Sequence, residues 1–435
     1  MPNDTPRREF LRAASAAALL PSALRNVAAA PANERLTIAH IGLGRMGSGN
    51  LKFAMETGFQ VVALCDVYQP ALDKAQDIAR QSGQSPKLVK DFREILADKS
   101  IDAVCISTPD HWHAYMTVEA CKAGKDVYVE KPACVYVREG QLMIEAARKY
   151  NRIVQGGTMQ RSGYFFKKAA EIVKSGDLGE ITFCRTWQSG LSKKEGYGSP
   201  QDGPPVAGLD WEMWLGPAPE RPFNANRWGV KPDAFSTFRY FWDYAGGAMT
   251  DWNVHLLDIV HYAFDDKIMP VRVTALGNRY YVEDNTETPD TMVATYQYPK
   301  FIATYESRTA APAPLFEETY GTAFIGTKAS LAVNRSGYRI FPAAKGAQPI
   351  VENDKTKSAM NLPHWQNFRD CIKTRQRPVA EIETTVRTST ACILSNLAMR
   401  HDTMLDWDDA AKTVKQADAR QYLEFEYRAP WKLEV

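Results

Sequence analysis

The sequence has no Cys-x-x-Cys pair, no run of basic residues and no low-complexity tract. Its seven cysteines are scattered, so their spacing indicates neither a zinc site nor a disulfide framework. The formal net charge is only +2 and no basic patch interleaved with aromatic residues occurs, which argues against a nucleic-acid partner. What remains is 435 residues of ordinary globular composition, enough for two or three domains.

The first 32 residues predict an export signal. Arg7, Arg8, Phe10 and Leu11 precede a short apolar stretch at residues 13–20, and Ala30-Pro31-Ala32 closes the segment. The apolar stretch is too short to span a bilayer, and the whole pattern is typical of a signal peptide. Because the paired arginines resemble the twin-arginine motif, we expect export of the folded protein, to the periplasm or beyond. The alternative is an amphipathic N-terminal helix.

A dinucleotide-binding fingerprint follows. The strand-like residues 36–41 lead into Gly42, Gly44 and Gly47, then into a helical stretch, and a second apolar run ends at Asp66. In this pattern the glycines permit a tight turn, a close approach of the backbone to pyrophosphate and close helix packing, and the carboxylate binds the ribose hydroxyls. A carboxylate would repel a 2′-phosphate, so we predict NAD rather than NADP. Arg45 and Met46 complete the predicted phosphate loop.

Strands and helices alternate through residues 33–155, which predicts a doubly wound parallel sheet, the Rossmann fold. Ligands of such sheets lie at the carboxyl ends of the strands. Two polar segments fall there and complete the predicted cofactor site: Ser107, Thr108, Pro109 and His113 in the first, Glu130 and Lys131 in the second.

These motifs together resemble the Gfo/Idh/MocA oxidoreductase family, which includes glucose–fructose oxidoreductase and inositol dehydrogenase. The resemblance rests on the glycine fingerprint, Thr108-Pro109 with His113, and Glu130-Lys131-Pro132. It extends to Gly246-Gly247 with Asp251, His255 and Asp258, and to the C-terminal segments around His364-Trp365 and residues 388–400.

The resemblance implies a second α/β domain, residues 156–435, built on an open and largely antiparallel sheet for substrate binding and oligomerisation. Its C-terminal helices should return toward the N-terminal domain. The sequence agrees, because turns containing glycine or proline separate several apolar runs. The predicted strands are residues 181–187, 271–276, 291–298, 302–306, 319–325 and 330–333. A homo-oligomer is expected.

The resemblance also assigns roles in catalysis. Oxidation of a secondary alcohol requires a base for the hydroxyl proton and a group that stabilises the developing alkoxide. His255 is the implied base, Lys131 the partner of the reacting hydroxyl and Asp251 a positioning carboxylate; if residues 251–255 are helical, both side chains share one face. We interpret His40 as a satisfied core histidine and His261 as structural. No residue triplet has metal-ligand spacing, so no metal is predicted.

The expected partner is a small-molecule carbohydrate substrate, and no membrane span is predicted in the chain. His111, Gln160, Arg161 and Trp252 are the candidate substrate contacts. Aromatic residues are concentrated in and near residues 188–245, which are rich in glycine, proline and charge, and such an insertion often forms a lid over a cleft. The aromatic residues stack on sugar rings or simply pack; they are Trp187, Trp211, Trp214, Trp228, Tyr240, Phe241, Trp242, Tyr244 and Trp252.

Three functions stay open from the sequence. The first is an NAD-dependent oxidoreductase for a sugar or cyclitol that holds its cofactor tightly, as an exported enzyme requires. The second is a glycoside hydrolase that uses NAD for transient oxidation and elimination, although Glu130-Lys131-Pro132 resembles the dehydrogenase version. The third is a sugar sensor, against which the intact Lys131, Asp251 and His255 argue.

Overall fold

The computed structural model describes residues 35–230 and 235–435; the predicted signal peptide lies outside the described residues. Six strands form the N-terminal sheet, in the order β3-β2-β1-β4-β5-β6, and every neighbouring pair is parallel. These strands are β1 (Thr37–Ile41), β2 (Gln60–Cys65), β3 (Lys87–Val89), β4 (Ala103–Ile106), β5 (Asp126–Val129) and β6 (Val154–Gly156). β4 and β5 are buried throughout, as expected of strands covered on both faces.

Helices connect these strands. They are α1 (Arg45–Glu56), α2 (Gln69–Gln81), α3 (Phe92–Ala97), α4 (His113–Lys122) and α5 (Val137–Lys149). This is the predicted Rossmann fold. The three-residue strand β3 was missed, because so short a segment carries no measurable periodicity.

The second sheet has ten strands in the order β14-β13-β12-β11-β7-β10-β9-β8-β15-β16. Only β7 and β10 pair in parallel; the other neighbours are antiparallel. The strands are β7 (Ile181–Ser189), β8 (Arg272–Asn278), β9 (Thr291–Gln297), β10 (Ile302–Arg308), β11 (Tyr320–Gly326), β12 (Ala329–Asn334), β13 (Gly337–Pro342), β14 (Ile350–Glu352), β15 (Leu405–Asp408) and β16 (Thr413–Val414). The predicted open, largely antiparallel sheet is confirmed, with four further strands, β13 to β16.

Seven further helices accompany this sheet: α6 (Tyr164–Ser175), α7 (Trp211–Leu215), α8 (Ala225–Trp228), α9 (Gly247–Asp251), α10 (Asn253–Ala263), α11 (Asn361–Thr374) and α12 (Ile382–Arg400). α10 lies on the sheet: Thr186 Oγ1 on β7 donates to Asn253 Oδ1 at 2.9 Å, and Thr322 Oγ1 on β11 donates to the Leu256 carbonyl at 2.9 Å. No helix in the described ranges is both long and apolar enough to cross a membrane.

The two sheets belong to one compact unit, Leu36–Val435. The C-terminal helices contact the Rossmann half directly. On α11, Trp365 Nε1 donates to Asn50 Oδ1 at 3.3 Å; on α12, Ser389 Oγ accepts a hydrogen bond from the Ala133 amide at 3.1 Å. The C-terminal helices α11 and α12 therefore hold α1 and the segment after Lys131 in place.

Two core histidines differ in their bonding. The His261 ring bonds Thr388 Oγ1 at 2.8 Å and the Tyr298 hydroxyl at 2.7 Å, so it is structural, as predicted. His40 is also fully buried, but neither ring nitrogen has a hydrogen-bond partner among the described residues. The prediction that His40 is satisfied was wrong, because its neighbour across the core is the ring of Trp365, 6.0 Å away.

Candidate active site

The glycine-rich turn joins β1 to α1. Gly42 has φ +84°, and a Cβ there would lie 2.6 Å from the Thr108 amide nitrogen; a Cβ on Gly47 would overlap the Gly42 carbonyl oxygen. Both positions therefore require glycine. Gly44 differs, because a Cβ there would meet nothing within 4 Å. The backbone at Gly44, just before the first turn of α1, thus faces open space where an anion can approach the helix N-terminus.

Asp66 stands immediately beyond β2, beside this turn. Its Oδ2 accepts a hydrogen bond from the Leu43 amide at 2.7 Å, and its Oδ1 accepts one from the Tyr68 amide at 2.9 Å. Burial raises the pKa of this carboxyl to about 6, although the backbone amides oppose the shift. Each oxygen keeps a lone pair for a further donor.

A cleft with about 930 Å³ of empty space opens over the turn. Eight of the predicted cofactor residues line it: Gly42, Gly44, Arg45, Met46, Asp66, Ser107, Thr108 and Pro109. His113 does not. Its ring nitrogens lie 2.7 Å from the Pro132 carbonyl and 3.0 Å from the Thr108 carbonyl, so it ties the two loops together instead of contacting the cleft. Burial lowers the pKa of His113 to about 4.

The insertion after β7 forms one wall of this cleft. It is attached to the Rossmann half by backbone hydrogen bonds, from the Gln69 amide to the Gly208 carbonyl and from the Asp210 amide to the Val67 carbonyl, both 3.0 Å. The Arg45 guanidinium lies 4.3 Å from the centre of the Phe235 ring. Four aromatic residues of the insertion line the cleft: Trp214, Trp228, Phe235 and Phe238.

Glu130 and Lys131 follow β5. Glu130 is buried, and its Oε1 accepts a hydrogen bond from Asn50 Nδ2 at 2.9 Å; the same amide group lies 3.0 Å from Ser107 Oγ. Burial raises the pKa of Glu130. Lys131 Nζ donates to the carboxylate of Asp251 and, at 3.1 Å, to its carbonyl oxygen. The structure thus brings a residue of the Rossmann half against the C-terminal end of α9.

Asp251 has a second cationic partner that sequence reasoning missed. Arg239 Nε donates to Asp251 Oδ1 at 3.1 Å. Burial opposes ionisation of Asp251, but the charges of Lys131 and Arg239 overcome it and hold the pKa of this carboxyl well below its usual value. Arg239 lies on a short 3₁₀ turn in the insertion, where no spacing or periodic signal marks it.

His255 is the third residue of α10. The predicted helix through residues 251–255 is interrupted, because α9 ends at Asp251 and α10 begins at Asn253. The imidazole is buried, its Nδ1 has no partner in the described part of the chain, and no hydrogen bond to its Nε2 is formed there either. Burial first, and then the charges of Lys131 and Arg335, lower the pKa of His255 well below its usual value. The ring is therefore neutral near pH 7 and able to accept a proton.

The candidate substrate residues separate into two groups. Gln160 and Trp252 lie near His255: Gln160 Nε2 donates to the His255 carbonyl at 2.8 Å, and the Trp252 ring lies 5.3 Å from that of Tyr320. His111 is buried in the aromatic cluster of the insertion and bonds the Trp214 carbonyl at 3.1 Å.

Arg161 requires a correction. It is fully buried, and its guanidinium bonds both oxygens of Asp258 at 2.7 Å and both oxygens of Asp266 at 2.6 and 2.7 Å. With its donors committed to two carboxylates, Arg161 holds α10 in place and has no donor to offer a substrate.

The fold and site define a class: a two-domain α/β protein with a dinucleotide-type cleft and a Lys-Asp-His cluster beside it. Sequence profiles agree. One described as "Oxidoreductase family, NAD-binding Rossmann fold" matches residues 36–158, and one described as "Oxidoreductase family, C-terminal alpha/beta domain" matches residues 185–433. The chain belongs to the Gfo/Idh/MocA oxidoreductase family.

Individual relatives are similar over part of their length. The chain is 32% identical over 168 residues to an inositol 2-dehydrogenase of Salmonella paratyphi B, covering 37% of this chain and 48% of that protein. It is 32% identical over 126 residues to a glycosyl hydrolase family 109 protein of Shewanella baltica, covering 28% of each. The chain therefore spans half or less of the length of these curated relatives.

Solved structures share the fold. Scyllo-inositol dehydrogenase from Lactobacillus casei, crystallised with NAD(H) and scyllo-inositol, superposes with a TM-score of 0.62 at 20% sequence identity. The match covers 86% of this chain and 99% of the other.

Proposed function

We propose that the protein is an NAD-dependent oxidoreductase that oxidises or reduces a secondary hydroxyl of a sugar or cyclitol. The observation that carries the proposal is the contact between Lys131 and Asp251, which joins the Rossmann half to the segment bearing His255. The names of the relatives, an inositol 2-dehydrogenase and a scyllo-inositol dehydrogenase, support the substrate class.

The residues of the cleft fit a dinucleotide. The space beside Gly44 is open, so a pyrophosphate can approach the backbone there and meet the amides at the N-terminus of α1. Asp66 offers acceptor oxygens to a ribose diol. A negative carboxylate at that place favours NAD over NADP. When bound, NAD supplies the acceptor for the hydride that leaves the carbinol carbon.

Side chains of the protein accept the proton of the substrate hydroxyl and bind its oxygen. The His255 imidazole is neutral and its ring nitrogens have no hydrogen-bond partner in the described residues, so it can take the hydroxyl proton. The Lys131 ammonium has a further N–H for the substrate oxygen besides its two bonds to Asp251. Asp251 is paired with both Lys131 and Arg239 and so holds the Lys131 ammonium in position.

The same protein sample tests the proposal in two steps. Mass spectrometry of denatured native protein should detect co-purified NAD(H). Sugars and cyclitols added to the purified protein should then give keto-sugar, lactone or keto-cyclitol products. With added NAD, NADH should form in step with product; without it, product should not exceed the bound NAD unless a second carbonyl compound is supplied as acceptor. A protein that binds these sugars without converting any of them would be a sensor, and the oxidoreductase proposal would be wrong.

A hydrolase that keeps its NAD is the second candidate, favoured by the match to the Shewanella family 109 protein. Aryl glycosides in the same assay distinguish the two. Release of the aryl group with no net change in nicotinamide redox state indicates the hydrolase. Oxidation of free sugars with intact glycosides indicates the dehydrogenase.

We also propose export through the twin-arginine route, on the strength of Arg7-Arg8. A cofactor held tightly through export would explain how a periplasmic enzyme obtains NAD. The double substitution Arg7→Lys/Arg8→Lys should leave the precursor in the cytoplasm, as measured by cell fractionation. Unchanged export of the double variant would refute this route.

A homo-oligomer formed through the outer face of the large sheet completes the proposal. Leu276, Val293 and Ile302 are exposed on neighbouring strands, where a monomer would leave them in water. Light scattering should give a mass above the 48.7 kDa of one chain. Val293→Asp should lower that mass, and a monomeric wild type would contradict the proposal.

A further inference from the structure

Arg335 lies just beyond β12, and none of the described carboxylates pairs with it. Its Nε donates to Gln160 Oε1 at 3.0 Å, and its guanidinium lies 5.6 Å from the centre of the Trp252 ring. Within residues 35–230 and 235–435, no acidic oxygen comes within 4.0 Å of it. A half-buried charge is costly to leave uncompensated, so a guanidinium in this position is suited to an anion from outside the chain.

Gln160 connects Arg335 to the proposed base. The Gln160 amide accepts from Arg335 through Oε1 and donates through Nε2 to the His255 carbonyl at 2.8 Å. Trp252, over which Arg335 lies, stands between Asp251 and α10. The guanidinium is therefore a neighbour of the reacting centre, and its charge contributes to the lowered pKa of His255 after burial and Lys131.

The cations here outnumber the ionised carboxylates that contact them. Lys131 and Arg239 share the single carboxylate of Asp251, and Arg335 has none. Asp110 is also near, but burial raises its pKa to about 7, so its charge is incomplete at neutral pH. A negatively charged ligand would correct this imbalance.

Glu130 does not neutralise Arg335 either. Its Oε1 accepts from Asn50 Nδ2 on α1, on the Rossmann side of the site, and the charges that act on it are those of Lys131 and Arg239. Arg335 lies at the end of β12, and within the described residues neither a hydrogen bond nor an ion pair joins it to Glu130. The Nη1 and Nη2 groups of Arg335 make no hydrogen bond with another described residue, so both are available to a ligand.

A second cavity adjoins Arg335. It contains about 960 Å³ of empty space, and Tyr320, Asn334, Ser336 and Tyr338 also line it. Its other arginine, Arg339, is already neutralised, because its Nη1 lies 2.6 Å from Glu318 Oε1. The cavity thus combines hydroxyl and amide groups suited to a sugar with two cations, Arg335 and the exposed Lys355, that form no ion pair among the described residues. Its two carboxylates, Glu318 and Glu352, are paired with Arg339 and Lys357.

We propose that the substrate is a sugar acid and that Arg335 binds its carboxylate. The inference rests on the proposed oxidoreductase function and narrows its substrate class. Two parallel N–H donors from Nη1 and Nη2 match the two oxygens of a carboxylate. A phosphate dianion would call for further buried cationic donors, but Arg339 is occupied by Glu318 and Lys355 is exposed.

Titration calorimetry on the NAD(H)-saturated protein tests this. The probes are glucuronate, galacturonate and gluconate, each compared with its neutral counterpart glucose, galactose or glucitol. At least one acid should bind more tightly than its counterpart. Arg335→Gln should weaken that acid on the order of tenfold or more, since a hydrogen bond to a charged group is lost, and leave the neutral sugar unchanged. The affinity of Arg335→Lys for the acid should lie between those of the wild type and Arg335→Gln. Arg272→Gln is the matched control: Arg272 is paired with Asp406 on the surface, 45% exposed and outside the cavity, so its loss should change neither affinity.

Two results would overturn the proposal. One is a wild type that binds no acid better than its neutral counterpart. The other is an Arg335→Gln variant that weakens acids and neutral sugars equally, which would make Arg335 a positioning residue for Gln160 and His255. Turnover separates this test from that of the proposed function. Acid binding lost in Arg335→Gln, without turnover of any probe, supports the subsite and contradicts the oxidoreductase. Turnover of neutral sugars without any preference for acids supports the oxidoreductase and contradicts the carboxylate subsite.

Discussion

Lys131 and Asp251 are 120 positions apart in the chain, yet the Lys131 ammonium bonds both the carboxylate and the carbonyl oxygen of Asp251. Their side chains are only 10% and 18% exposed. Because breaking a buried pair leaves an unpaired charge, the two residues should act as one unit.

Variants of this pair should be strongly non-additive. Lys131→Met and Asp251→Asn should each lower kcat/KM, and the double variant should be little worse than the poorer single one, because residues that act together are lost together. A double-mutant cycle in kcat/KM measures this. The control is the surface pair of Lys174 and Asp265, 2.6 Å apart, whose disruption should leave kcat/KM unchanged. Additive losses at Lys131 and Asp251 would show that they act independently.

Asp66 should control both cofactor choice and its pH dependence. In Asp66→Ala, the affinity for NAD should fall on the order of tenfold or more and discrimination against NADP should relax. The pKa of Asp66 is raised to about 6, so the carboxylate exists above that pH and NAD binding should weaken as the pH falls through it. Calorimetry on ligand-stripped protein between about pH 5 and pH 8 gives both readings. Asp66→Asn should bind weakly at every pH; an identical pH profile in wild type and Asp66→Asn would exclude Asp66 from the site.

His40 should be a net cost to stability. A buried polar group without a partner costs about 1–3 kcal/mol, so His40→Leu should raise the free energy of unfolding by about 1 kcal/mol or more. His261→Leu is the control and should destabilise, because it leaves Thr388 and Tyr298 unpaired. Urea unfolding measures both variants. A destabilised His40→Leu would indicate that His40 is satisfied by a buried water.

The pH dependence of that stability has a definite sign. Burial lowers the pKa of His40 from 6.5 to about 3, so between these values the unfolded chain binds the proton and the folded chain does not. His40 therefore destabilises the folded protein further as the pH falls from 6.5 toward 3. The stability gain of His40→Leu over wild type should increase between pH 7 and pH 5, on the order of 1 kcal/mol per unit.

The sequence predicted those parts of the site that local chemistry determines. A strand, three spaced glycines, a helix and an acidic residue form one contiguous pattern, and the structure places Gly42, Gly44 and Asp66 around one cleft. Arg239 and Arg335 could not be found this way. Arg239 lies in an irregular insertion and Arg335 in a turn, so no periodicity marks either residue.

Side chains whose role depends on distant partners were also beyond the sequence. Arg161 was expected at the substrate, but its partners Asp258 and Asp266 are brought to it only by the packing of α10. His40 was correctly placed in a core strand, yet whether a buried ring finds a hydrogen-bond partner depends on which residues lie across the core. Those neighbours come from α11, at the other end of the chain.

The most direct test is the rate at which bound NAD is reduced in a single turnover, measured across pH for wild type and His255→Ala with a substrate identified by the sugar screen. On our proposal that the neutral imidazole is the base, and with its pKa well below 6.5, the wild-type rate should be flat near neutral pH and fall only under acid conditions. His255→Ala should be roughly 10²–10⁴-fold slower, with unchanged NAD affinity and no such acid limb. A variant that keeps both the rate and the acid limb would contradict the assignment of His255 as the base.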